Sequence, residues 1–163
     1  MDNNRFKQAQ HALDRTLQSL PEQLRTLFET VRYDAALQKL TEAKAPSHDW
    51  VLAQLRTLRV KARTIQATVV ELSEALAACL TAYTEAGGTD ALRIAHAREE
   101  LLFLEQTVTD YAAQSARLAQ AQQSTELLQT QKELLDALAV EQFRQKLGKT
   151  QPDQEAEKEL WQT

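Results

Sequence analysis

The sequence predicts an all-α protein. The expected architecture is an elongated, antiparallel three-helix bundle: a coiled-coil hairpin with an extended third helix. Three observations predict it. Only three Gly and three Pro occur in 163 residues, while helix formers fill most of the rest, a composition of helices rather than sheets. Val51, Leu55, Leu58, Ala62, Ile65, Val69, Leu72, Leu76, Cys79, Tyr83 and Ala86 form an apolar seam spaced alternately four and three. Such a heptad seam marks a helix that faces another helix. A second seam follows Gly87-Gly88 and mirrors the first about that turn.

The first helix is expected over 3–43. Its seam is Phe6, Leu13, Leu17, Leu20, Leu24, Leu27 and Val31, with Gln10 as a polar member. Pro21 lies inside it and predicts a kink, because proline removes a backbone donor and crowds the preceding turn. The apolar spacing carries across Pro21, so no reversal is expected there. Beyond Val31 the seam positions fall on Asp34 and Gln38, and Leu37 and Leu40 sit one place off. The helix should rotate or end its packing at that point.

Lys44 to Asp49 is the first turn. Pro46 stops one helix, and Ser47 is a cap for the next. The second helix is expected over 48–86, roughly 54 Å long at about 1.5 Å per residue. Gly87-Gly88 ends it, since glycine readily takes the left-handed conformation at a helix terminus. Thr89 and Asp90 then cap the third helix.

The third helix is expected over 90–147. Its seam runs Ile94, Ala97, Leu101, Leu104, Val108, Tyr111, Ser115, Leu118, Gln122 and Thr125, turning polar at the far end. Apolar residues then return from Leu127 to Leu147, and Gly148 is the expected stop. Two readings stay open for this stretch. The helix runs through and carries an apolar overhang, or Ser124 or Thr125 caps a fourth helix and residues 126–147 fold back to make a four-helix bundle. Residues 1–147 are thus expected to form one helical-bundle domain. The tail, 148–163, is polar and acidic and reads as flexible, with Trp161 as the anchor if it docks.

Composition narrows the function classes. The net charge of −4 disfavours wholesale binding to nucleic acid. The single Cys79 cannot close an internal disulfide and reads as a structural thiol on the seam. The N-terminus lacks the apolar core of a signal peptide. No apolar run approaches the roughly 18 residues of a membrane span. The expected location is cytoplasmic, with a nuclear one compatible.

No catalytic constellation stands out, so no enzyme activity, cofactor or metal is expected. His11 with Asp14, and His96 with Glu99 or Glu100, share helical faces, but the order is the reverse of the Glu-x-x-His pairs of bundle metal sites. They read as surface histidines.

Two surfaces remain. Leu127, Leu128, Leu134, Leu135, Leu138 and Phe143 lie beyond the reach of the other two helices and should bury themselves on a protein partner or on another copy. This predicts a non-enzymatic interaction protein: a coiled-coil scaffold or adaptor, an assembly subunit or a chaperone-like partner, oligomeric if the other copy is that partner. The alternative is an anion-binding module for nucleic acid or a phospholipid head group. Arg56, Arg59, Lys61 and Arg63 lie within eight residues, and Arg117 lies on the matching part of the third helix. Glu29 and Asp34 of the first helix are the acids expected to neutralise this belt. No aromatic residue lies inside the cluster, which weakens a nucleic-acid reading.

Overall fold

A computed structural model describes residues 3–150. The expected tail therefore lies mostly outside the described residues, from Gln151 onward for its backbone and from Lys149 for its side chains. The described chain is an all-α helical bundle of four helices: α1 (Asn3–Val31), α2 (Tyr33–Thr41), α3 (His48–Glu85) and α4 (Ala91–Thr150). It falls into two compact units, Met1–Gln122 and Gln123–Thr163, whereas the sequence reading drew one domain over 1–147.

The expected first helix is two. Arg32 takes the left-handed conformation, with φ at 55° and ψ at 47°, and separates α1 from α2. Nothing local demands a break there, since neither Gly, Pro nor Asn is present. The cause is the slipped seam. Leu13, Leu17, Leu20 and Leu24 of α1 are buried, and on a straight continuation Leu37 and Leu40 would rotate off that face. The break turns α2 so that Tyr33 is buried and Ala36, Leu37 and Leu40 pack against the core. Pro21 lies within α1 and the helix continues through it, at the loss of the bond Leu17 would accept.

The second helix follows expectation. Ser47 caps α3, its Oγ accepting from Trp50 N at 3.2 Å. At the other end Gly87, with φ at 95°, and Gly88 donate to Thr84 O and Tyr83 O at 3.1 and 2.9 Å. This pair of bonds is the Schellman closure of a helix. Asp90 caps α4, its Oδ1 accepting from Leu92 N and Arg93 N at 3.1 and 3.4 Å.

Within Met1–Gln122 the contacts give the helix directions. Phe6 meets Tyr83 with ring centroids 5.8 Å apart, and Lys61 bonds to the Val31 carbonyl. So α1 and α3 pass in opposite directions. Asp14 pairs with Arg93 and Tyr33 with Gln114, so α4 runs alongside in the sense of α1. The core is the predicted seam: Leu55, Leu58, Ala62, Ile65, Val69, Leu76 and Tyr83 of α3 pack against Leu13 to Leu24, Ala97, Leu104 and Leu118. Cys79 is half-buried, its Sγ 3.5 Å from Thr16 Oγ1.

The course of the last helix corrects the sequence reading. α4 carries through Ser124, Thr125 and Gly148 to Thr150, so residues 126–147 belong to α4 and do not form a separate fourth helix, and Gly148 does not end it. Also, α3 is long and apolar enough to cross a membrane by length and composition alone. Its seam residues Ile65, Val69 and Leu76 are buried in the bundle core.

Candidate functional site

The leucine surface is a property of α4 alone. Leu127, Leu128, Leu134, Leu135 and Leu138 are all 54–67% exposed. At about 100° per residue these five fall within an arc of about 120°. The face is about three turns long, carries Gln131 near its centre, and turns polar at Glu141, Gln142 and Gln145.

Phe143 is also exposed, but it does not share that face. It lies about 60° beyond the edge that Leu128 marks, and it groups with Val140 and Leu147 at spacings of three and four. The six residues singled out in the sequence are thus two stripes, a leucine face and a smaller Val140, Phe143, Leu147 face. Sequence reasoning passed over Val140, which is exposed as well.

The basic belt is less coherent than its sequence suggests. Lys61 Nζ donates to the carbonyl of Val31. Arg59 Nη1 donates to Gln122 Oε1 at 2.7 Å, while its Nε is buried without a partner among the described residues. These two side chains tie elements of the bundle together. Arg56, Arg63 and Arg117 are exposed. The acids expected to neutralise the belt do not pair with it: Glu29 bonds to Arg25 at 3.5 Å, and Asp34 makes no ion pair among the described residues.

The histidine pairs are occupied otherwise. Asp14 is held by Arg93, Nε to Oδ1 at 2.7 Å and Nη2 to Oδ2 at 3.1 Å. Arg93 also reaches Asp90 at 3.0 Å and lies 5.7 Å over the Tyr83 ring. His96 Nε2 lies 3.7 Å from Glu100. Among the described residues no three His, Cys, Asp or Glu side chains gather in a way that could hold a metal ion.

One feature has no counterpart in the sequence reading. The break at Arg32 opens a cleft of about 440 Å³, lined by Phe28, Glu29, Arg32, Tyr33, Asp34, Ala35 and Tyr111. Tyr111 is its centre, 6.2 Å from Phe28 in a stacked pair and 5.4 Å from Tyr33 in an edge-on pair. Tyr33 Oη donates to Gln114 Oε1 at 3.1 Å. Burial, with the Asp34 charge adding to it, pushes both phenols above their ordinary pKa. The off-register seam after Val31 was the only sequence signal for this place.

Comparison with known protein families, curated proteins and solved structures finds no match.

Proposed function

We propose that the protein is a non-enzymatic helical interaction protein, of the assembly-subunit kind, whose leucine face on α4 pairs with the same face of a second copy. The observation that supports this is the row of five leucines, each more than half exposed, on one side of one helix. Scattered exposed leucines are ordinary on a protein surface, but five gathered on one side of a helix, around a single polar residue Gln131, make a binding feature.

Magnitudes favour a second copy over a polar partner surface. Burying a leucine fully contributes about 1.5–3 kcal/mol, so covering five half-exposed ones contributes roughly 5–8 kcal/mol. Association costs about 4–15 kcal/mol. One leucine face laid on polar surface barely offsets that cost. Two such faces laid together double the gain, and the partner that certainly carries a matching face is another molecule of this chain.

Light scattering on the purified chain tests the reading. A dimer that Leu134→Glu with Leu138→Glu converts to a folded monomer supports it. A strict monomer at high micromolar concentration overturns it.

A further inference from the structure

The cleft at the break between α1 and α2 carries an inference independent of the leucine face. Its walls are aromatic, and of its two rim acids Glu29 is bonded to Arg25 at 3.5 Å, while Asp34 makes no ion pair among the described residues. Phe28 and Tyr111 are half-buried and show ring surface to the cleft, and Tyr33 closes its floor at 4% exposure. Tyr111 meets Tyr33 edge-on at 79° and lies at 29° to Phe28. Asp34 and Glu29 lie on the rim. The field of Asp34 reaches the phenols of both tyrosines. The one cation in the lining is Arg32, which is exposed and lies over none of these rings. At about 440 Å³ the space lies within the range of small-molecule sites.

Aromatic rings with a carboxylate beside them attract a soft, weakly hydrated cation through the ring quadrupoles. An ammonium bearing methyl groups meets both demands. Its methyls fill apolar space against the rings, and its charge is answered by Asp34. An anion is disfavoured by Asp34, the rim carboxylate that makes no ion pair among the described residues. A neutral aromatic ligand leaves Asp34 without a partner.

We propose that this cleft binds a small organic cation of the quaternary-ammonium class, held against Phe28 and Tyr111 with Asp34 as its counter-charge. Arg32 stands at the rim as a competing positive charge, so its removal strengthens the site. The left-handed break at Arg32 is what makes the site concave, because an uninterrupted helix over 3–41 presents a convex surface to Tyr111.

The test uses choline as the probe, with its uncharged isostere 3,3-dimethylbutan-1-ol as control, followed through the ring resonances of the labelled full chain. Choline is expected to shift the Phe28 and Tyr111 signals saturably, and the isostere to bind at least about tenfold more weakly. Asp34→Asn weakens choline about five- to tenfold with the helical circular dichroism unchanged. Arg32→Asn, which keeps the left-handed conformation accessible, tightens it two- to threefold. Phosphatidylcholine vesicles in a parallel arm distinguish a lipid head group from a free cation: ring shifts with choline alone indicate the free ligand, and chain that also sediments with vesicles indicates the head group. Equal binding of choline and its isostere, no ring shift up to tens of millimolar choline, or an Asp34→Asn variant that binds as the parent does overturns the proposal.

Discussion

Lys61 of α3 donates from its Nζ to the backbone carbonyl of Val31, the last residue of α1. A helix end leaves its last carbonyls without partners, and a lysine is suited to answer one because its charge also complements the negative end of the helix dipole. The bond holds the chain where it changes direction. Lys61→Met keeps most of the side-chain volume and removes the donor. The expected cost is about 1–2 kcal/mol in urea unfolding, with faster amide exchange in Tyr33–Thr41 than in α3. Unchanged exchange in α2 would show that the bond does not hold the break.

Arg32 bears backbone strain that other residue types relieve. At φ 55° a side chain with Cβ costs about 1–2 kcal/mol, and asparagine bears this conformation better than most. Arg32→Asn is expected to raise stability by about 0.5–1 kcal/mol, and Arg32→Val to lower it by more than 1 kcal/mol because branching at Cβ makes left-handed backbone worse. Thermal melts of the two variants on either side of the parent check this.

The two glycines of the second turn are held by different constraints. A Cβ at Gly87 meets nothing within 4 Å, but its φ is +95°. A Cβ at Gly88 lands on the ring of Tyr83, which is itself 1% exposed and accepts from Asp90 N at 3.2 Å. Gly87→Ala should cost about 1 kcal/mol, from conformation alone. Gly88→Ala should cost about 2–3 kcal/mol, from overpacking a ring that cannot move aside. Denaturant midpoints that reverse this order contradict the assignment.

Alkaline pH should weaken the fold through the tyrosine pair. Burial raises the pKa of Tyr33 and Tyr111 above 10.0, and the charge of Asp34 adds to it. The folded state therefore holds the phenol protons more tightly than the unfolded state. That contribution is fully present below pH 10 and is lost as pH rises through the raised values. Tyr111→Phe removes one of the two groups, so the fall in melting temperature above pH 10 should be shallower in the variant than in the parent.

The split of the apolar residues of α4 into two faces gives a sharp contrast. Leu138→Asp places a charge at the C-terminal end of the leucine face and should abolish association, a loss of at least about 100-fold in dimer affinity. Phe143→Asp changes the other stripe and should leave the dimer within about threefold of the parent. Sedimentation equilibrium on both variants decides it. Equal effects would mean that the interface wraps both stripes.

The leucine face was legible from sequence because helical periodicity alone places Leu127 to Leu138 together, while Phe143 fell to the other stripe once its angle was followed. The belt was legible as charge and not as a site. Spacing cannot show that Lys61 reaches the Val31 carbonyl or Arg59 the side chain of Gln122, since those partners lie 30 and 63 residues away. The cleft was the least legible feature. Phe28, Tyr33 and Tyr111 carry no motif, and Tyr111 reaches the other two only through the way α4 lies beside α1 and α2.

By itself the sequence determined the helical class, the seam of α3, the Ser47 cap, the Gly87-Gly88 closure and the Asp90 cap. Each depends on neighbours within one or two turns, where residue type and spacing suffice. It also placed trouble just after Val31, since two apolar patterns out of phase cannot face one core on one straight helix. Tertiary structure decided how that conflict was resolved. Burying Leu13 to Leu24 together with Tyr33 outweighs about 1–2 kcal/mol of left-handed strain at Arg32, and a lysine from another helix holds the resulting end. Such a trade compares a local cost with a distant gain, and only the packed chain brings the two together.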